Sequence, residues 1–88
     1  MDDFKNECRK ISEENIKNKI KLARVEKDLT QQELAEEIGV TRQTIGLIER
    51  EEYNPTILLC LKLSCVLEKN LDELFWLEVN EDENRWKD

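Results

Sequence analysis

The sequence predicts an all-α protein built as one small domain. The chain has 88 residues, of which 39% are apolar and 40% are charged, so a small core lies under a heavily charged surface. Only two glycines and one proline occur, too few for the tight turns of a β-sandwich or barrel. A domain of this size buries only about 60% of its unfolded surface, so a partner subunit is plausible.

The first predicted core helix covers residues 16–27. A weaker helical stripe precedes it, at Phe4, Cys8 and Ile11. Either Ser12 or Asn15 caps the helix that follows, and Asp28 ends it. One face of the helix is formed by Ile16, Ile20, Ala23 and Lys27.

The second predicted helix is short and covers residues 30–37. Thr30 and Glu33 form a capping box, in which the hydroxyl meets the amide three residues on and the carboxylate reaches back. Gly39 ends the helix, as glycine does where the chain turns left-handed. The inward side chains are Leu34, Ala35 and Ile38.

The third predicted helix, residues 41–49, begins at a second cap, Thr41. Its inward side chains are Ile45 and Ile48. Two short helices joined by a glycine turn of about three residues have the spacing of a helix-turn-helix.

The last two predicted helices follow a loop at residues 53–56. The fourth is rich in leucine, covers residues 56–67 and is capped by Thr56. The fifth begins at Asn70 or Asp72 and ends near Phe75. After Leu77 the chain is acidic, and Trp86 is its only large apolar side chain there.

Composition also excludes several classes of function. No apolar run approaches the roughly 20 residues that span a bilayer, and the first ten residues are too charged for a secretory signal. Without histidine, a Ser-His-Asp triad and the usual zinc ligand sets are excluded. The three cysteines, Cys8, Cys60 and Cys65, are expected to be structural thiols in a reducing cytosol. We expect no enzyme activity, no metal and no cofactor.

The net charge of −7 is spread unevenly. Residues 70–88 carry −5 and residues 1–15 carry −2, whereas residues 16–50 sum to +1. The uneven distribution of charge therefore permits DNA binding through one face, whereas the negative total argues against strong nonspecific binding.

Two stretches carry a specific resemblance: LTQQELAEEIGVTRQTIGLIE, residues 29–49, and YNPTILLCLKLSCVLEKNLDELFWLE, residues 53–78. Both resemble the helix-turn-helix domain of the phage repressor and Cro family, also called the xenobiotic-response-element family. The resemblance covers residues 16–78 and implies a five-helix, phage-repressor-like DNA-binding domain. Residues 1–15 form an N-terminal extension with room for an extra helix, and residues 79–88 form an acidic C-terminal tail.

The resemblance also implies which residues contact DNA. Its base-contacting positions fall on Arg42, Gln43, Thr44 and Leu47. Arginine pairs bidentately with guanine and glutamine with adenine, and each such contact contributes about 1–3 kcal/mol of discrimination. The phosphate-contacting positions fall on Gln31, Thr41 and Arg50. A structural ion pair is implied between Arg24 and Glu49.

The chain departs from the family pattern in two places. Relatives often read E-R-G-K where this chain reads Glu49-Arg50-Glu51-Glu52, which weakens the electrostatic case for DNA and allows the loop to rotate. Gly46, in the recognition helix, either permits the close approach of a backbone or a DNA strand or is a tolerated surface glycine.

A dimer seam is predicted from apolar residues at places that are often polar in relatives: Leu58, Cys65, Trp76, Leu77 and Val79. The alternative is that these residues enlarge the core of a monomer. A dimer would let two copies read two half-sites about one helical turn apart.

These observations predict a sequence-specific DNA-binding transcriptional regulator of bacterial or phage origin. We expect a cytoplasmic homodimer that represses by occupying a palindromic site on double-stranded DNA, with no membrane association. The rival hypothesis is a protein-interaction module of the same fold, an antitoxin or regulator-binding protein with weak DNA binding. The Glu51-Glu52 pair and the acidic tail favour that rival.

Overall fold

The computed structural model describes residues 8–78, and within them the helices form one layered bundle. Its helices are α1, Ile20–Glu26; α2, Gln31–Ile38; α3, Arg42–Glu49; α4, Ile57–Leu67; and α5, Leu71–Leu74. Residues 8–10 are helical as well, and Glu13–Asn15 form one 3₁₀ turn. The predicted helical fold class is confirmed. Phe4, Val79, Trp86 and the acidic tail lie outside the described residues.

The predicted helix over residues 16–27 is wrong at its beginning, because residues 16–18 are not helical. Ile16–Asn18 form strand β1, which pairs antiparallel with strand β2, Phe75–Leu77. Ile16 lies opposite Leu77, and Asn18 lies opposite Phe75. The Asn15 carbonyl accepts a hydrogen bond from the Glu78 amide at 2.7 Å, which extends the pairing. This small sheet ties the beginning of the domain to its end.

The core lies where α1 to α5 meet. The predicted inward residues of α2 and α3 are all buried, and so are Ile20 and Ala23 of α1. The buried apolar cluster is Ile20, Ala23, Leu34, Ala35, Ile38, Ile45, Ile48, Leu63, Leu67 and Leu74. α2 packs against both α3 and α4, so the two short helices are held rigidly relative to the bundle.

All three cysteines are free thiols. Cys8 and Cys65 are exposed, whereas Cys60 is half-buried and its Sγ lies 3.9 Å from the Pro55 carbonyl oxygen. Burial raises the pKa of the Cys60 thiol, because the thiolate loses solvation there. Within residues 8–78, no group of three or more Cys, Asp or Glu side chains is arranged to hold a metal ion.

Candidate nucleic-acid interface

The turn between α2 and α3 is built by local capping. The Thr30 hydroxyl accepts from the Glu33 amide at 3.0 Å, and the Glu33 carboxylate accepts from the Thr30 amide at 2.8 Å. Gly39 ends α2 with φ of 80°, in the left-handed region that favours glycine. Thr41 then caps α3 by accepting from the Thr44 amide at 3.2 Å. These contacts define where α2 begins and ends and where α3 begins.

The predicted base-contacting residues lie on the outer side of α3. Arg42 and Gln43 are exposed, whereas Thr44 and Leu47 are half-buried. The Thr44 hydroxyl is 3.0 Å from the Thr41 hydroxyl, so it already has a partner within the cap. Arg42 and Gln43 are therefore the side chains most free to reach a base edge.

A groove of about 380 Å³ lies between the start of α2 and the outer side of α3. Its lining is Gln31, Arg42, Gln43, Gly46 and Arg50. The structure thus brings together four of the predicted DNA-contacting residues in one concave surface. Thr41, Thr44 and Leu47 do not line the groove.

The Glu49 carboxylate joins three elements behind this groove. Arg24 Nε lies 2.7 Å from Glu49 Oε2, and the two side chains are 11% and 5% exposed. Gln31 Nε2 donates to Glu49 Oε1 at 2.9 Å. Arg24 Nη1 also donates to the Leu29 carbonyl at 2.8 Å. Gln31 therefore reaches the groove with one amide proton already committed to Glu49.

Glu51 and Glu52, the two loop residues after α3 that depart from the family pattern, have different surroundings. Glu51 adopts φ of 64°, left-handed without being glycine. Its carboxylate lies 3.5 Å from Lys17 Nζ and accepts from the Asn18 amide at 3.3 Å, so it faces β1. The Glu52 carboxylate accepts from Arg50 Nε at 3.4 Å, and both side chains are more than half exposed. Glu52 is therefore an exposed acidic partner of the Arg50 guanidinium.

Sequence reasoning missed the role of Asn18, which supports the interface from behind. Its Nδ2 donates to the Ile48 carbonyl at 2.9 Å, and its Oδ1 accepts from the Ile20 amide at 3.0 Å. One side chain thus accepts from the first residue of α1 and satisfies a carbonyl near the end of α3. An asparagine two residues before an apolar helical face is a capping signal, but the predicted helix over residues 16–27 concealed it.

Of the residues predicted to form a dimer seam, the four within residues 8–78 are exposed in the single copy. Leu58 is 61% exposed and Leu77 is 52% exposed, and Cys65 is exposed too. Leu58, Leu61 and Cys65 share one face of α4, at i, i+3 and i+7. Trp76 instead lies beside α1, where Lys19 Nζ is 5.7 Å from its ring centre. None of the four described seam residues enlarges the buried core.

Sequence comparison finds relatives that match this arrangement from α1 to α5. The model of a family described as Helix-turn-helix matches residues 20–74. The uncharacterized helix-turn-helix-type transcriptional regulator YgzD of Bacillus subtilis is 41% identical over 63 residues, covering 72% of this chain and 96% of that protein. A similar uncharacterized regulator of Methanocaldococcus jannaschii is 38% identical over 66 residues, 75% of this chain and 100% of that protein.

Solved structures show the same fold. The restriction-modification controller protein C.AhdI from Aeromonas hydrophila superposes with a TM-score of 0.58 and 31% identity, covering 61% of this chain and 78% of that one. A chain of the SinR protein/SinI protein complex gives a TM-score of 0.59 and 33% identity, covering 77% of this chain and 67% of that one. No helix within residues 8–78 is long and apolar enough to cross a membrane.

Proposed function

The chain belongs to the Cro/C1-type helix-turn-helix family of transcriptional regulators, and on that premise we propose that it reads a palindromic operator as a homodimer and represses by occupying it. The observation that supports this is the groove lined by Gln31, Arg42, Gln43 and Arg50. Side chains from the start of α2 and from α3 converge there with donors suited to bases and phosphates. No chemical step is needed, because occupancy of the site blocks its use by other proteins.

In this proposal the groove residues divide into two roles. Arg42 and Gln43 enter the major groove and read base edges. Beside them Thr44 offers a hydroxyl contact and Leu47 an apolar one. Gln31, Thr41 and Arg50 contact phosphates of the DNA backbone beside the bases that are read, and these contacts carry no sequence information. The Arg24–Glu49 ion pair holds α3 against α1, and Gln31 joins α2 to the same carboxylate.

The dimer is supported by the uncovered apolar face of α4. Ile57, Leu58 and Leu61 are 70%, 61% and 51% exposed. A domain of this size is stabilised when such an apolar cluster is buried against a partner. A second copy supplies an identical face about a two-fold axis. The same symmetry gives an operator of two half-sites.

The test is selection of binding sites from a random duplex library at several salt concentrations. An enriched palindrome that is lost in the Arg42→Ala plus Gln43→Ala variant supports the proposal. The slope of log affinity against log salt then counts phosphate contacts at about 0.9 per contact. Equal binding of every sequence, or no enrichment at low salt, overturns it.

A second candidate is a protein-interaction role with weak DNA binding. The loop glutamates Glu51 and Glu52 and the overall charge of −7 favour it, and one solved neighbour is a chain of a complex between two proteins, SinR and SinI. The same selection discriminates the two: operator binding by the purified chain alone counts against this candidate.

A further inference from the structure

Gly46 is buried although it lies on the outer side of the recognition helix α3, between Arg42 and Arg50. A glycine inside a helix destabilises it relative to alanine. Its φ is not in the left-handed region, so the backbone alone does not require it. The reason for a glycine here must therefore lie in what approaches the missing side chain.

What approaches is the guanidinium of Arg50. A β-carbon at position 46 would lie 3.3 Å from Arg50 Nη1, tighter than ordinary van der Waals contact, and 3.9 Å from Gln31 Nε2. The Arg50 side chain thus folds back along α3, one turn toward its start. The Glu52 carboxylate accepts from Arg50 Nε at 3.4 Å, and the Nη end of the guanidinium lies toward Gly46 and Gln31.

We propose that Gly46 is a positioning residue for Arg50: its missing side chain lets the guanidinium lie in the groove beside Gln31, where both contact the DNA backbone next to the base read by Arg42. This inference rests on the proposed DNA binding. With alanine at position 46, the guanidinium must shift by a few tenths of an ångström from this place beside Gln31. Since the Arg50 side chain is 59% exposed, it can swing into solvent without disturbing the core.

The two glycines of the chain provide a matched pair of variants. Gly46→Ala removes a helix-destabilising glycine, so we expect the Tm to rise, by up to roughly 4–8 °C. Gly39→Ala places a side chain at φ of 80°, although its β-carbon would meet nothing within 4 Å. We therefore expect Gly39→Ala to lower the Tm and to leave the groove unchanged.

The experiment measures binding of these full-length variants to the operator selected by the wild-type chain. Gly46→Ala should bind up to about fivefold more weakly per subunit at 0.15 M salt, and its salt slope should fall by up to about 0.9 per subunit, the value for complete loss of one phosphate contact. Gly39→Ala, while folded, should bind as the wild type does. In an Arg50→Ala background, Gly46→Ala should cause no further loss.

Two results would overturn the role of Gly46 while leaving DNA binding intact. One is wild-type affinity and salt slope for Gly46→Ala. The other is the same loss of affinity from Gly46→Ala whether or not Arg50 is present. If the wild-type chain binds no duplex even at low salt, the proposed function itself fails, so the two failures are distinguishable.

Discussion

Arg24 Nε lies 2.7 Å from Glu49 Oε2, and this ion pair joins α1 to the last residue of the recognition helix. The Glu49 carboxylate also accepts from Gln31 at the start of α2. A nearly buried carboxylate with donors from two other helices is costly to leave unpaired. Together the contacts of Glu49 with Arg24 and Gln31 therefore fix the relative placement of α1, α2 and α3.

Glu49→Ala is expected to lower the free energy of unfolding by about 3–5 kcal/mol, because the Arg24 guanidinium would stay buried without its partner. Urea denaturation measures this change. The Arg24→Ala plus Glu49→Ala double variant should lose less than the sum of the single variants. The control is Lys69→Ala, which breaks the exposed Lys69–Glu26 pair at 3.5 Å and should cost at most about 1 kcal/mol. Equal losses for Glu49→Ala and Lys69→Ala would contradict the prediction.

Asn18→Asp tests the link between β1 and α3. Aspartate keeps an acceptor for the Ile20 amide but loses the donor to the Ile48 carbonyl, so we expect a loss of about 1–3 kcal/mol of unfolding free energy. Asn18→Ala loses both contacts and should be at least as unstable. Asn54→Ala, at an exposed loop position, is the matched control and should be nearly neutral. Similar midpoints of chemical denaturation for Asn18→Ala and Asn54→Ala would show that the link carries no stability.

The elements that the sequence predicted well are those whose signals are local. Thr30, Gly39, Thr41 and Thr56 each act on groups within a few residues, so α2, α3 and α4 begin and end within one residue of the expected positions. Strand β1 has no such signal. Its partner β2 lies about 60 residues further along the chain, and the spacing of Ile16 and Ile20 suits a helix equally well.

The sequence predicted four of the residues that line the groove, but not how their side chains are arranged. The resemblance located Gln31 on one helix, Arg42 and Gln43 on the next and Arg50 just after it, and packing then brings them to one surface. The fold of Arg50 over Gly46 and the left-handed Glu51 depend on side-chain rotamers and loop dihedrals. The contact of Arg50 with Gly46 is local and that of Lys17 with Glu51 is tertiary, and neither leaves a periodic pattern to read.

Leu61→Lys is expected to convert the protein from a dimer to a monomer. A lysine at the centre of the uncovered α4 face would place a charge in the proposed seam, where it lacks a partner. Sedimentation equilibrium should then report the mass of one chain, 10.5 kDa, instead of twice that value. Leu22→Lys on α1 is the control, since Leu22 is similarly exposed at 55% and should leave the dimer intact. Dimers persisting in Leu61→Lys at micromolar concentration would rule out this face as the seam.

Glu52→Gln is expected to strengthen DNA binding without changing the preferred sequence. The glutamine keeps an oxygen that accepts from Arg50 Nε, so the guanidinium stays in place, while the negative charge beside the phosphate is removed. Binding of every duplex should therefore tighten by a few-fold at low salt and by less at high salt, because the repulsion is screened. Asp72→Asn removes the same charge from α5, which packs against α4 and β2, and should have a smaller effect. Titrations of the selected operator and of a scrambled duplex measure both variants. Weaker binding by Glu52→Gln would mean that Glu52 holds Arg50 in place through its charge instead of competing with the phosphate. A gain confined to one sequence would mean that Glu52 affects base reading, and it would contradict the prediction as well.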